Sequence, residues 1–314
     1  MSVAIVAGAT RGAGRGIARG LGEAGFTVIC TGRSVRGQPS SYDMPETIDE
    51  TAAMIPGAIA MRVDHTNERE VEQLFARVTA EHGGVDVVVD SVAGEDPAFG
   101  KWSGMVDTDL SRADVALRQA LLSHLYTAKH AGLAMRARKR GLLVEVVEHD
   151  QLLGAGSNLL SAVVKSSLKL LATILAEDLR KHRVACVSLT PGFLRSENML
   201  RHFGVTAETW RDAGKRDPHF LHSESPLFIG RGVAALAKDP NAMAKTGLIL
   251  SSWQLAREYG FTDEDGSRPD WGAHWRDDVI DAMHMRTGIE RHIAWLEALT
   301  QNARDQLTTS RART

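Results

Sequence analysis

A doubly wound α/β fold, with one parallel seven-stranded sheet and a C-terminal extension, is what this sequence predicts, on three observations. Short β-branched apolar runs alternate with longer stretches of helical periodicity. A glycine-rich turn joins the first run to the first helical stretch. The alternation stops near Gly260, where Asp/Gly/Pro-rich turns over 263–270 lead into a Trp-rich, charged region.

The strand runs fall at 3–7, 27–31, 58–63, 85–89, 142–147, 184–189 and 247–250. Between them the apolar positions repeat at helical spacing, most clearly at Val164, Leu168, Leu171, Leu175 and Leu179. A stripe of that kind buries one helix face against a sheet. The reading therefore assigns residues 1–260 to the sheet domain and 261–314 to an extension, in which Ile289, Ile293 and Leu296 mark one amphipathic helix.

Composition narrows the function classes. With 314 residues, 43% hydrophobic, and 37 basic against 39 acidic side chains, the chain has soluble-globular composition and no basic footprint for nucleic acid. Cys30 and Cys186, the two cysteines, sit inside strand runs and read as packed thiols, not as a disulfide framework. No run approaches the roughly 20 apolar residues of a membrane span, and the N-terminus enters a strand without a signal-peptide pattern. The expectation is a cytoplasmic protein with no membrane partner.

The first strand runs into Gly8-Ala9-Thr10-Arg11-Gly12-Ala13-Gly14 and then a helix. Backbone N–H groups at a helix N-terminus, together with the helix dipole, attract a pyrophosphate, and glycine lets the backbone approach it. The alternative is a tight strand-to-helix turn and nothing more. At the end of the second strand stand Arg33 and Ser34, with no carboxylate to accept two ribose hydroxyls. A 2′-phosphate wants cations there, so NADP(H) is the expected cofactor unless the arginines are merely solvated.

The Gly8-x-x-x-Gly12-x-Gly14 spacing resembles the short-chain dehydrogenase/reductase family, a group of Rossmann-type enzymes, and further positions match in order over roughly residues 1–260. Asp64, with His65 beside it, stands where the family touches adenine; Ser91-Val92-Ala93-Gly94 stands where it has Asn-Asn-Ala-Gly. Lys165 lies in the sixth helix, and Pro191-Gly192-Phe193-Leu194-Arg195-Ser196 follows the sixth strand. The resemblance implies that Leu194 and Ser196 meet the nicotinamide amide and that Lys165 holds its ribose, while Arg11 suits NADP(H). The stretch 255–260 with Asp265-Gly266 is similar to the subgroup that includes dehydrogenase/reductase member 1. A homodimer or homotetramer through the helices at 113–138 and 158–183 is implied as well.

The catalytic pattern departs from the family's. Its reductases carry Tyr-x-x-x-Lys on one helical face, where the phenol protonates the substrate and the lysine lowers the phenol pKa. Here the helix reads Ser161-Ala162-Val163-Val164-Lys165, and Tyr42, Tyr126 and Tyr259 all lie outside it. A serine hydroxyl ends roughly 4 Å nearer the backbone, and ~1 Å of misplacement already costs on the order of 10²-fold. It is also far less acidic than a phenol, whose pKa is about 10.

The family's catalytic serine maps to Glu148 or His149, and its helical asparagine near Arg118. Glu148, His149 and Asp150 thus bring three titratable groups to a strand end, with His149 the natural donor at neutral pH or else a solvated turn residue. Glu95 and Asp96 lie at the expected mouth of the site, Trp102 and Trp253 line a pocket or belong to the core, and 197–226 resembles a lid. His219, His222 and Glu224 form no recognised ligand pattern, so no metal is expected.

The leading expectation is an NADP(H)-dependent oxidoreductase acting on a C=N, C=C or C=O bond of a small organic substrate, with imines or activated alkenes favoured and a rebuilt proton donor. Three others stay open: a carbonyl reductase working through a water relay from Lys165 and Ser161, a catalytically dead NADP(H) sensor or scaffold, and non-redox chemistry.

Overall fold

The computed structural model describes residues 2–38, 44–92, 105–107, 109–147 and 159–274. The chain divides into two compact units, Met1–Pro269 and Asp270–Thr314. In the second, α10 (Trp271–His274) starts with an Ala273 N–H donating to the Asp270 carboxylate at 3.0 Å. The helix expected around 289–296 lies outside the described residues.

In the first unit the elements run β1 (Val3–Ala7), α1 (Gly12–Glu23), β2 (Thr27–Gly32), α2 (Ile48–Ala53), β3 (Ile59–Arg62), α3 (Glu68–His82), β4 (Val87–Asp90) and α4 (Ala113–Leu117). They continue with α5 (Ser123–Arg138), β5 (Gly141–Val146), α6 (Leu159–Arg180), β6 (Val184–Thr190), α7 (Glu197–Phe203), α8 (Pro226–Lys238), β7 (Ile249–Ser251) and α9 (Ser252–Tyr259). The seven strands form one sheet in the order β3-β2-β1-β4-β5-β6-β7, all neighbours parallel. The order reverses between β1 and β4, and the crevice at such a switch point is where doubly wound sheets bind ligands.

Each face of the sheet has its own core. Ala4, Val6, Val28, Cys30, Val87, Val144 and Val187 pack under α1 and α8, through Ile17, Leu21, Ile229 and Val233. Ile5, Ile29, Val88, Leu143 and Cys186 pack under α3, α5 and α6. Two of the α1 glycines serve helix packing and not the turn. A Cβ on Gly16 would lie 1.7 Å from the Pro226 carbonyl oxygen, and one on Gly20 would lie 2.3 Å from the Gly230 carbonyl carbon.

The chain does not leave this unit at Gly260. Phe261 packs edge-on against Phe228 at 5.1 Å, and the Asp263 carboxylate, fully buried, accepts from Arg195 at 2.8 Å and from the Ser225 backbone at 2.9 Å. Residues 261–269 therefore belong with the sheet. No helix among the described residues is long and apolar enough to cross a membrane.

Candidate functional site

The phosphate loop is shaped by steric demand at two glycines. Gly8 has φ +77°, and a Cβ there would lie 2.6 Å from the Ser91 carbonyl oxygen. A Cβ on Gly14 would come 2.1 Å from the Gly8 carbonyl oxygen. The loop is thus packed on itself and on the end of β4, with Thr10 and Ala13 within it. Arg11 precedes α1 without capping it. Instead the Gly12 N–H donates to the Glu197 carboxylate at 2.7 Å, and Arg15 pairs with the same carboxylate at 3.2 Å. An anion already sits against the α1 N-terminus, as the loop's chemistry predicts.

Around this point charges from three elements meet. Glu46 is bracketed by Arg11 at 3.4 Å and by Arg201 of α7. Burial would raise the Glu46 carboxyl, but the Arg201 hydrogen bond, the backbone bond and both guanidinium charges outweigh it and hold the group below its ordinary range. Arg33 at the end of β2 is exposed and makes no ion pair among the described residues. Ser34 beside it is buried, and its carbonyl accepts from Ile48 N–H at 3.0 Å.

After β3 the two predicted residues part company. Asp64 closes a local turn, with Oδ1 accepting from the Thr66 backbone at 2.9 Å and hydroxyl at 2.8 Å. His65 turns inward: its ring nitrogens lie 2.8 Å from the Thr31 and Thr127 hydroxyls, leaving only its backbone to face a ligand.

At the ends of the central strands a buried polar cluster appears that sequence reasoning missed. Parallel register puts Thr31, Ala7, Asp90, Glu145 and Ser188 in one row across β2, β1, β4, β5 and β6. His124 of α5 drops onto it, with Nδ1 2.6 Å from Glu145 Oε2 and Nε2 3.1 Å from the Val92 carbonyl and 3.4 Å from Asp90 Oδ1. All three side chains are buried. Burial alone would lower the imidazole, but the Asp90 and Glu145 charges and the two hydrogen bonds push it up to about 9. Burial raises the Glu145 carboxyl, against the opposing charges of His124 and Lys165.

Among the described residues this is the one carboxylate and histidine group with metal-like spacing, its ligand atoms within 4.8 Å of one another. Both ring nitrogens face acceptors, so the imidazole has no lone pair to offer a cation. The warning signs in the sequence were an Asp and a Glu inside otherwise apolar strands, positions that need partners when buried.

Lys165 is buried on α6, and Ser161, half-buried, lies one helical turn before it. α4 passes into α5 through a π turn over Arg118–Leu122, where the Ser123 N–H reaches back to the Arg118 carbonyl. This is where the family's asparagine was expected, and π turns are frequent at functional sites. Glu148, His149, Asp150, Ala93, Gly94, Glu95, Asp96 and Trp102 lie outside the described residues.

After β6 the 191–196 loop returns to the phosphate loop. Leu194 and Ser196 come within 3.8 and 3.6 Å of the position a Gly12 Cβ would occupy, joining segments far apart in sequence. Ser196 caps α7 by accepting from Met199 N–H at 3.2 Å. The Pro191-Gly192 turn is held from behind by Glu224, whose Oε2 accepts from Gly192 N–H at 2.9 Å. Glu224 is therefore not grouped with His219 and His222, the latter exposed. Phe203, Trp210 and Phe220 give the 197–226 region a small core of its own, and Trp253 is buried in α9.

A parallel sheet with a glycine loop at its switch point and a second loop closing over it defines a Rossmann-class protein. The family model for Enoyl-(Acyl carrier protein) reductase matches residues 8–250. The chain is 34% identical over 275 residues to Dehydrogenase/reductase SDR family member 1 of Mus musculus, covering 84% of this chain and 83% of that protein. It belongs to the short-chain dehydrogenase/reductase family of oxidoreductases. The same fold is seen in ElxO with NADP bound, with TM-score 0.66 and 17% identity over 80% of this chain and 96% of that one. It is seen again in YwfH, an NADPH dependent reductase involved in bacilysin biosynthesis, with TM-score 0.63 and 18% identity over the same 80% and 96%.

Proposed function

We propose that this chain is an NADP(H)-dependent oxidoreductase that reduces a C=N, C=C or C=O bond of a small organic substrate, imines and activated alkenes favoured, at a site lacking the family's tyrosine. The observation that carries the reading is the convergence of the glycine loop, the exposed Arg33 and the 191–196 loop at the carboxyl ends of the strands. Arg33 suits a 2′-phosphate, and both solved neighbours named above carry or use NADP(H). The bound nicotinamide supplies hydride. The protein's part is to hold the dinucleotide through Gly8, Gly12, Gly14, Leu194 and Lys165 and to deliver a proton.

Ser161 occupies the place of the phenol and is too short and too weakly acidic to stand in for it alone. His149 or the neighbouring Glu148, just past β5 in sequence, is the proposed proton source in place of the phenol. An iminium carries its positive charge before hydride arrives, so a site rich in carboxylate stabilises it and asks little of a proton donor. The buried Lys165 and the missing phenol also favour a second reading, a dead NADP(H)-binding sensor or scaffold. We place the protein in the cytoplasm as a homodimer or homotetramer, since Leu125 and Leu133 of α5 and Val163, Leu170 and Ile174 of α6 are exposed apolar residues on the helices expected to pair.

The test is a fluorescence titration with NADPH and NADH, followed in the same cuvette by ketones, imines and enones. Tight NADPH binding with oxidation on an imine or enone is the expected result. Binding without oxidation on any compound favours the sensor, and failure to bind either nucleotide overturns both readings.

A further inference from the structure

We infer that Glu224 is a positioning residue for the nicotinamide half of the cofactor, clamping the 191–196 loop in the conformation that receives the carboxamide. The assignment rests on the NADP(H) reading above. Glu224 lies 32 residues beyond Gly192 yet holds the loop by three of its residues. Its Oε2 accepts from Gly192 N–H at 2.9 Å, its backbone N–H donates to the Phe193 carbonyl at 2.8 Å, and its carbonyl accepts from Arg195 N–H at 2.8 Å. Leu194 and Glu224 form an isolated parallel bridge.

Strand-like alternation follows from these bonds. With Phe193 C=O and Arg195 N–H turned toward Glu224, strand-like alternation turns the Leu194 N–H and C=O to the side away from Glu224. One donor and one acceptor side by side match a carboxamide, which carries both.

The clamp is anchored in turn. The Ser252 hydroxyl, at the start of α9, donates to Glu224 Oε2 at 2.5 Å. The Arg195 guanidinium donates to the Ser223 carbonyl and to Asp263 at 2.8 Å, and stacks 4.0 Å above the Trp210 ring. Glu224, Ser252 and Asp263 are all essentially fully buried, and Glu224 Oε1 has no hydrogen-bond partner. Burial, with Asp263 adding repulsion, pushes the Glu224 carboxyl up to about 8 against the Ser252 and Gly192 bonds and the Arg195 charge. At neutral pH the clamp is a neutral acid, and ionising it puts a second buried negative charge beside Asp263.

The experiment compares NADPH with 2′,5′-ADP, which reports only the adenosine half, in wild type, Glu224→Gln and Glu224→Ala at pH 7 and pH 9. Glu224→Ala is expected to weaken NADPH about tenfold, from loss of a buried acceptor, while 2′,5′-ADP changes less than about twofold. Glu224→Gln mimics the neutral acid, so it keeps near wild-type affinity at pH 7 and escapes the loss of NADPH affinity that wild type shows at pH 9. Equal weakening of both ligands, or none, overturns the assignment. If Glu224→Ala does not fold, Ser252→Ala with the same ligand pair and the Glu224→Gln pH comparison decide it. Wild type binding neither nucleotide removes the cofactor reading and this clamp with it, whereas wild type binding both while the variants keep NADPH removes the clamp alone.

Discussion

The two faces of the sheet meet the same strands and end differently. Under α1 and α8 the side chains stay apolar to the strand ends, and the helices approach so closely that only glycine fits at Gly16 and Gly20. Under α5 and α6 the apolar layer of Ile5, Ile29, Val88, Leu143 and Cys186 is followed, two residues on, by Thr31, Asp90, Glu145 and Ser188. A closely packed apolar face can carry load and little else. The other spends stability on a buried charge cluster at the end of the sheet where the cofactor is expected, which is what a functional face does.

The largest effect should come from breaking the charge balance of the polar face. His124→Leu leaves Asp90 and Glu145 without their common cation and should destabilise the protein by about 3–5 kcal/mol in urea denaturation. Adding Asp90→Asn and Glu145→Leu should recover most of that loss, because a well-packed apolar replacement of a whole buried charge cluster is close to neutral. If the single variant loses less than ~1 kcal/mol, the cluster is not the buried ionic group described here.

The same cluster sets a pH slope. His124 is held above its ordinary value, so its contribution is complete below about pH 6.5 and is lost as the pH rises toward about 9. Glu145 and Glu224 are carboxyls raised by burial, so the folded chain keeps protons that the unfolded chain releases above about pH 4.5. All three therefore lower stability with rising pH. The urea midpoint should fall from pH 6 to pH 9 in wild type, and more shallowly in the triple variant. Equal slopes would assign the pH dependence to other groups.

On the apolar face, Gly16→Ala should cost about 1–3 kcal/mol through overpacking against Pro226 and leave the pH slope unchanged, as thermal unfolding at two pH values would register. A change in slope would mean that the faces are coupled. The smallest effect is expected at Glu197, whose carboxylate holds the Gly12 N–H where a pyrophosphate would compete for it. Glu197→Gln should tighten NADPH binding by a few-fold, roughly 2–10 times, since a neutral amide yields more easily to an anion. Weaker binding in a fluorescence titration would make Glu197 a support of the loop.

Much of this was readable along the chain. Strand runs, the α6 stripe and the glycine turn are local patterns, each set by residues within a few positions of one another, and each overlaps an element of the structure. The end of the sheet unit was read too early, at Gly260, because the Asp/Gly/Pro turns look like a linker. Only contact with Arg195 and Ser225 reveals Asp263 as an internal ion partner. His65 was placed beside Asp64 as a ligand residue, and nothing in the sequence says that its ring turns inward to Thr31 and Thr127.

Sequence alone determined the class of fold, the glycine turn after β1 and the presence of an arginine with no carboxylate at the end of β2, because hydrophobic periodicity and turn chemistry act over one turn or one strand. Tertiary structure decided which acids face which bases. Asp90, His124 and Glu145 come from two strands and a helix, Glu197 meets the Gly12 N–H 185 residues away in sequence, and Glu224 joins Gly192 to Ser252. Parallel register and helix packing are long-range outcomes, and it is they that bring such charges within a few ångströms of one another.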